Sequence, residues 1–378
     1  MRTAHVHVLD RLLHLRMMKG KEMSLNNCTN ATIQQNHSKP EDIVGFVPEI
    51  ENVHLRSALA FGCALIFIVG VPGNIVLLAA LRESIRSRDG DTVTSVTSVL
   101  IFNITASDLV LLLYVIPLFT LHFVLCSWTF GPLVCTAFKV ASHVTMSVSF
   151  YSMVCLSVVR YVAVVHPIRA RLVRYNHALL LCAFIWLATS GLSTPRWLYS
   201  RVVGVGARNV CALVMDERER LLFDVALNIV GFIPAVAVMV FCYSRIVRTL
   251  WRRGDMIRNN QASVLFNRQA TIMTLVAFIA FCLLCIPMLV YMLCQAKLFT
   301  NSLDYAIVSQ VSIVLCYTNS CINPVIYFSL SGQFRLALKK VLRNCHSEQN
   351  LQNNGLSRNT AEMHNVCILT SFRTIENA

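Results

Sequence analysis

The run Asn319-Ser320-Cys321-Ile322-Asn323-Pro324-Val325-Ile326-Tyr327 puts two amides, a hydroxyl and a proline inside an otherwise apolar segment near residues 303–330. An earlier apolar segment carries a lone carboxylate, Asp108. Polar groups at that depth cost free energy unless they find partners or bind something. Together they predict a polar pocket within a helix bundle. Its chemistry is either oxygen ligation of a hard cation or a protonated Asp108 bonded to neighbouring amides. Pro324 removes one helical hydrogen bond and favours a kink there. Covalent chemistry has no foothold: there is no HExxH, no Walker-type loop, no pair of intramembrane acids, and no CxxC with a second Cys or His pair to complete a zinc site.

The elements that must position these residues follow from composition. Of 378 residues, 56% are hydrophobic and 14% charged, against roughly a quarter charged in soluble domains. The bilayer is therefore the expected solvent. Seven stretches are long and apolar enough to cross it as helices: 56–82, 94–123, 132–165, 177–199, 220–250, 267–295 and 303–330. The net charge of +14 is spread over the short links and forms no continuous basic domain, so nucleic acid is not an expected partner. Most of the 15 cysteines, among them Cys63, Cys155, Cys182, Cys282 and Cys316, stand alone in apolar runs, where a thiol acts as a small apolar filler.

Basic residues set the expected direction. Arg82, Arg86 and Arg88 follow the first run, Arg169, Arg171 and Arg174 the third, and Arg248, Arg252, Arg253 and Arg258 the fifth. Arg335, Lys339, Lys340 and Arg343 open the tail, whereas the second link has no Lys or Arg and the sixth only Lys297. The positive-inside rule puts the N-terminus outside. Acceptor triplets for glycosylation at Asn27, Asn30 and Asn36 lie on that side. A further triplet at Asn103 falls within an apolar run and is not expected to be used. Residues 1–22 are basic and lack an apolar core and a cleavage site, so the first helix is expected to act as a signal anchor.

Several anchors in order carry a resemblance over about 55–345. They are Gly73-Asn74, Ala106-Ser107-Asp108-Leu109, Trp128-Thr129-Phe130-Gly131 before Cys135, Val159-Arg160-Tyr161 followed by His166-Pro167, Trp186, Pro234, Phe281, Pro287 and the Asn319–Tyr327 run. The chain resembles the rhodopsin-like (class A) G-protein-coupled receptors. Within them it resembles peptide receptors of the galanin, kisspeptin and allatostatin type, through Ser107–Pro117, Ser127–Gly131 and Tyr161–His166.

The resemblance implies an all-α seven-helix bundle at 56–330 in the plasma membrane. An extracellular tail covers 1–55, an amphipathic interfacial helix 331–345 and a disordered tail 346–378. Asn74, Asp108, Ser149, Asn319, Ser320 and Asn323 stand where relatives hold a sodium ion, the one cofactor expected. Arg160, Tyr161, Tyr243, Phe281, Cys285, Pro287, Pro324 and Tyr327 stand at activation and coupling positions. Ser142, His143, Met146, Met288, Leu289, Met292, Gln295, Ser309 and Tyr317 are placed to line an outer ligand pocket, amphipathic and suited to the aromatic or apolar end of a peptide. Asp216, Glu217 and Glu219 could meet basic residues of such a peptide. Cys135 and Cys211 are the expected disulfide, with Cys126 nearby leaving the pairing open. Cys345 is a palmitoylation candidate, and the tail hydroxyls (Ser357, Thr360, Thr370, Ser371, Thr374) are phosphorylation candidates. Implied partners are an extracellular peptide, a heterotrimeric G protein, arrestin, a receptor kinase and membrane lipid.

The chain also departs from the pattern. Val159 replaces the acid that usually restrains the arginine at 160, and Asn267 stands where some relatives place a second acid. Cys285 replaces the usual tryptophan two residues before Pro287. Ser142 excludes the acid that amine ligands need, and no lysine is placed for a retinal Schiff base. Tyr243 lies nine residues after Pro234 rather than eight, which either a local bulge or a slightly different role for the tyrosine would accommodate. These departures support an alternative: an atypical receptor with high basal activity or a ligand-scavenging role.

Overall fold

The computed structural model describes residues 53–86, 92–170, 174–205, 208–254, 261–294 and 302–330, together with 172, 332 and 335. Seven of its helices are long and apolar enough to cross a membrane. They are α1 (Val53–Arg86), α2 (Thr92–Val110, continuing through a π-helical turn at Leu111–Val115 into Ile116–Leu125), α3 (Gly131–Val165) and α4 (Tyr175–Leu192). After an antiparallel hairpin come α5 (Glu217–Ala226, a π turn at Leu227–Phe232, then Ile233–Gly254), α6 (Gln261–Cys294) and α7 (Ser302–Leu330). The glycosylation sites, Cys345 and nearly all of the expected interfacial helix lie outside the described residues.

Each helix exists because its backbone polar groups must be satisfied within the segment once lipid surrounds it. Packing then sorts its faces. Large apolar side chains such as Phe184, Leu187, Val230 and Leu283 remain exposed on the bundle surface, as a lipid solvent allows. Inward faces form two principal apolar clusters. One gathers Leu77, Phe150, Tyr243, Phe281 and Tyr327; the other gathers Leu59, Leu112, Phe119, Trp128 and Tyr317. Along α2, Ile104 joins the first cluster and Leu111 the second, so Asp108 lies between two dry layers.

The fourth stretch differs from the sequence expectation of 177–199. α4 stops at Leu192, where the Ser193 hydroxyl donates to the Thr189 carbonyl at 2.8 Å. Pro195 then starts a separate short helix, Thr194–Tyr199. The link beyond it forms strands β1 (Ser200–Val205) and β2 (Arg208–Leu213), with Val202 opposite Cys211. The expected bulge in α5 is a π turn, but it precedes Pro234 and leaves the stretch from Pro234 to Tyr243 regular.

α1 and α7 approach closely at Pro324. A Cβ added to Gly73 would lie 3.0 Å from Cβ of Pro324, a rigid ring that cannot swing aside. Gly73→Ala is expected to force the helices apart at a cost of about 1–3 kcal/mol, read as a lower apparent melting temperature of the purified protein. An unchanged melting temperature would show that the contact does not constrain the hinge.

Candidate functional site

The polar pocket is built on Asp108, which is 2% exposed. Its Oδ1 accepts from the Ser149 hydroxyl of α3 at 3.1 Å and the Ser320 hydroxyl of α7 at 2.9 Å. Its Oδ2 accepts from the Asn323 amide at 2.9 Å. Ser107 and Ser149 share a further hydrogen bond of 2.8 Å. Asn74 of α1 donates to the carbonyls of Gly70 and Ser320, both at 2.8 Å. One carboxylate thus ties three helices together, and Asn74 ties in the fourth.

Two buried acceptors are left over. Asn74 Oδ1 and Asn319 Oδ1 have no hydrogen-bond partner among the described residues, although buried polar atoms nearly always find one. Among the described residues no group of three or more His, Cys, Asp or Glu is arranged to hold a metal ion. A single carboxylate, hydroxyls and orphaned amide oxygens fit a hard monovalent cation by donor chemistry.

At one end of the bundle, Arg160 is buried and its Nε has no hydrogen-bond partner. Its electrostatic neighbours are the phenols of Tyr327 and Tyr243. Tyr243 also shares a hydrogen bond with Thr274 and stacks on Phe278 at 5.6 Å. Tyr161 turns away and bonds His166 Nε2 at 3.2 Å. The side chain of Asn267 lies outside the described residues.

At the other end, under the hairpin, a cavity of about 410 Å³ opens among α2, α3, α5, α6 and α7. Ser142, His143, Met146, Met288, Leu289, Ser309 and Tyr317 all line it. The side chains of Met292 and Gln295 lie outside those described. Ser142 and Tyr317 share a 2.8 Å hydrogen bond across α3 and α7, and His143 Nδ1 shares one of 2.7 Å with Ser193. The floor reaches Cys285 and Phe281. Phe281 stacks on Phe150 at 5.3 Å, and Phe150 on Phe232 at 4.9 Å. The thiol of Cys285 lies within hydrogen-bond reach of that of Cys316 on α7, both cysteines being free, a contact the sequence reading did not foresee.

The same cavity is lined by Arg56, His122, Lys139 and Arg196, which sequence reasoning did not assign to it. The signal was present for Lys139, a cation inside an apolar run, as Asp108 is an anion inside one. Asp216 and Glu219 are exposed and do not line the cavity.

The hairpin is fastened over the cavity. Cys135 and Cys211 form a disulfide with Cα atoms 5.5 Å apart. Trp128 N–H donates to the Asn209 carbonyl at 2.6 Å, and its indole N–H to the Gly131 carbonyl at 2.9 Å. Gly131 holds φ at +79°, which only glycine adopts cheaply as α3 begins. Cys126 is also disulfide-bonded, which corrects the expectation of a single bridge. Asn103, the unused glycosylation triplet, is buried between Trp186 and Ser152 with hydrogen bonds of 2.9 Å to each.

Residues 73–327 match the family model of the 7 transmembrane receptor (rhodopsin family). The chain is 29% identical over 281 residues to galanin receptor 2a of Danio rerio, covering 74% of this chain and 76% of that one. It is 30% identical over 310 residues to human galanin receptor type 3, covering 78% and 82%. It is 29% identical over 334 residues to the allatostatin-A receptor of Bombyx mori, covering 86% and 87%. With seven helices in one bundle and a match over most of its length, the chain belongs to the rhodopsin family of 7 transmembrane receptors.

Proposed function

We propose that this protein is a peptide receptor of the plasma membrane, with the hairpin end outside and the Arg160 end facing a heterotrimeric G protein in the cytoplasm. The cavity carries this reading: it runs from beneath the hairpin to Phe281 and Cys285, deep enough for the end of a peptide to press on α6. Similarity to galanin and allatostatin-A receptors supports a peptide as the ligand. The basic links support the orientation.

In this reading the peptide end displaces the Phe281–Phe150–Phe232 stack and the Cys285–Cys316 contact. The motion passes through the Asp108 pocket and the Pro324 kink to Tyr327 and Arg160. A sodium ion, where bound, would be held by Asp108, Ser149, Ser320 and Asn323 with the free oxygens of Asn74 and Asn319, and would favour the resting arrangement. The tail 1–55 would carry glycans at Asn27, Asn30 and Asn36. Residues 331–345 would lie on the inner leaflet, anchored by a palmitoyl group on Cys345, and the tail beyond would serve a receptor kinase and arrestin. A screen of neuropeptides against cells expressing the full chain with G-protein biosensors tests the reading. A peptide that evokes nucleotide exchange supports it; uptake of peptides without any exchange would favour a scavenger.

Among the described residues, tyrosines rather than a carboxylate lie beside Arg160. Basal signalling is therefore expected to exceed that of Val159→Asp, which restores a local anion, by several-fold in second-messenger assays at matched surface expression. Equal basal levels would show that the tyrosine contacts already restrain Arg160.

A further inference from the structure

The cationic wall of the cavity is not explained by packing. Lys139 lies one turn from His143 on α3 and is half-buried, with the cavity beside it. Its electrostatic neighbours are cations: Arg196 is the charge it feels most, and Lys139 in turn acts on His122. Arg196 also acts on His143. No Asp or Glu lines the cavity among the described residues.

Among the described residues Lys139 has no anionic neighbour, and an ammonium held partly out of water without one is unfavourable. The Phe138 ring, 5.8 Å from Lys139 Nζ, offsets part of that as a cation–π contact. That does not cover the cost, and a neutral side chain of equal length would pack there without it. An arriving anion would recover the difference. The surrounding walls are aromatic, with Phe119, Phe123, Trp128 and Phe138 close by.

We infer that this cavity binds the carboxylate of its peptide ligand, with Lys139 as the counter-ion and the aromatic wall holding an adjoining apolar group. The inference rests on the peptide-receptor reading and specifies the chemistry of the ligand end. The carboxylate comes either from an Asp or Glu side chain or from a free C-terminus.

Two arms test it on the purified full-length receptor and on cells. In the first, 2-naphthylacetate and its neutral isostere 2-naphthylacetamide are compared as thermal stabilisers. The acid is expected to act at about tenfold lower concentration, the size of one charge-assisted contact. Lys139→Gln should erase that preference and Lys139→Arg should keep it. If Lys139→Gln does not fold, Lys139→Met, an uncharged side chain of similar length, takes its place and should erase the preference in the same way. Equal potency of acid and amide on wild type, or a preference that survives Lys139→Gln, overturns the inference.

In the second arm, paired peptide libraries carry Asp or Asn, and free or amidated C-termini, against a G-protein biosensor. Activation enriched in Asp members assigns the anion to a side chain, and enrichment in free acids to the terminus. Activating peptides with no acid preference overturn the anion site while leaving the peptide receptor standing. An acid preference in the first arm with no activating peptide leaves the anion site standing and removes the peptide reading.

Discussion

Asp108→Ala is expected to lower the apparent melting temperature of the purified full-length receptor by roughly 5–10 °C, equivalent to about 3 kcal/mol in a bundle of this size. The side chain is the common acceptor for Ser149, Ser320 and Asn323. Removing it strands three buried donors, each worth about 1–3 kcal/mol when left unsatisfied. The full sum is not reached, because Ser149 retains its 2.8 Å bond to Ser107. Asp108→Asn should fall in between: its carbonyl oxygen can still accept from the two serines, while its amide faces that of Asn323.

The same variants separate the two chemistries open to the pocket. If a sodium ion is held there, replacing choline chloride by sodium chloride raises the melting temperature of wild type but not of Asp108→Ala. A wild-type protein indifferent to that exchange would leave Asp108 as a purely hydrogen-bonded group. A melting temperature unchanged by Asp108→Ala would sink the account of the pocket as a tie among α2, α3 and α7.

Loss of the bridge between Cys135 and Cys211 is expected to have the second large effect. It closes a loop with a sequence separation of 76, and chain-entropy reasoning values such a closure at about 4.5 kcal/mol. Without it the hairpin keeps the 2.6 Å Trp128–Asn209 bond and the 3.1 Å bond from Asn209 N–H to Ser127, together worth about 1–3 kcal/mol. Cys135→Ser should therefore reduce surface display several-fold and abolish the response to whatever peptide activates wild type. The double variant Cys135→Ser/Cys211→Ser should match the single one, because both remove one bond. It also leaves no freed thiol to exchange with the disulfide at Cys126. Wild-type display and response in the double variant would show that backbone contacts alone hold the hairpin.

Much of this receptor is legible in one dimension. Seven apolar runs had to become helices, because lipid offers backbone polar groups no partner. Asp108 and the Asn319–Tyr327 run stood out because the same solvent makes polar groups expensive, so those that remain have work to do. The motif order then pointed to the rhodopsin family, and the family match over residues 73–327 agrees. The separation of α4 from the Thr194–Tyr199 helix was half-visible in Pro195. The β-hairpin was obscured: Val202, Val203, Val205 and Val210 suit strands, yet arginines interrupt them, and pairing is settled by a partner rather than by propensity.

The cavity's charge was the least legible feature. Hydropathy describes a segment against its solvent, so the sequence by itself determined the spans, their number and the residues too polar for lipid. It could not determine which way each helix is rotated. Whether Lys139 meets an acid, lipid or an empty space depends on the packing of neighbouring helices and on the hairpin above them, and helix rotation in a membrane is set by such contacts. Only the tertiary structure brought Lys139 beside Arg196 and His122 at one wall, and Ser149, Ser320 and Asn323 onto one carboxylate. A buried charge is marked by its cost in the chain; its partner is decided by which helix faces it across the bundle.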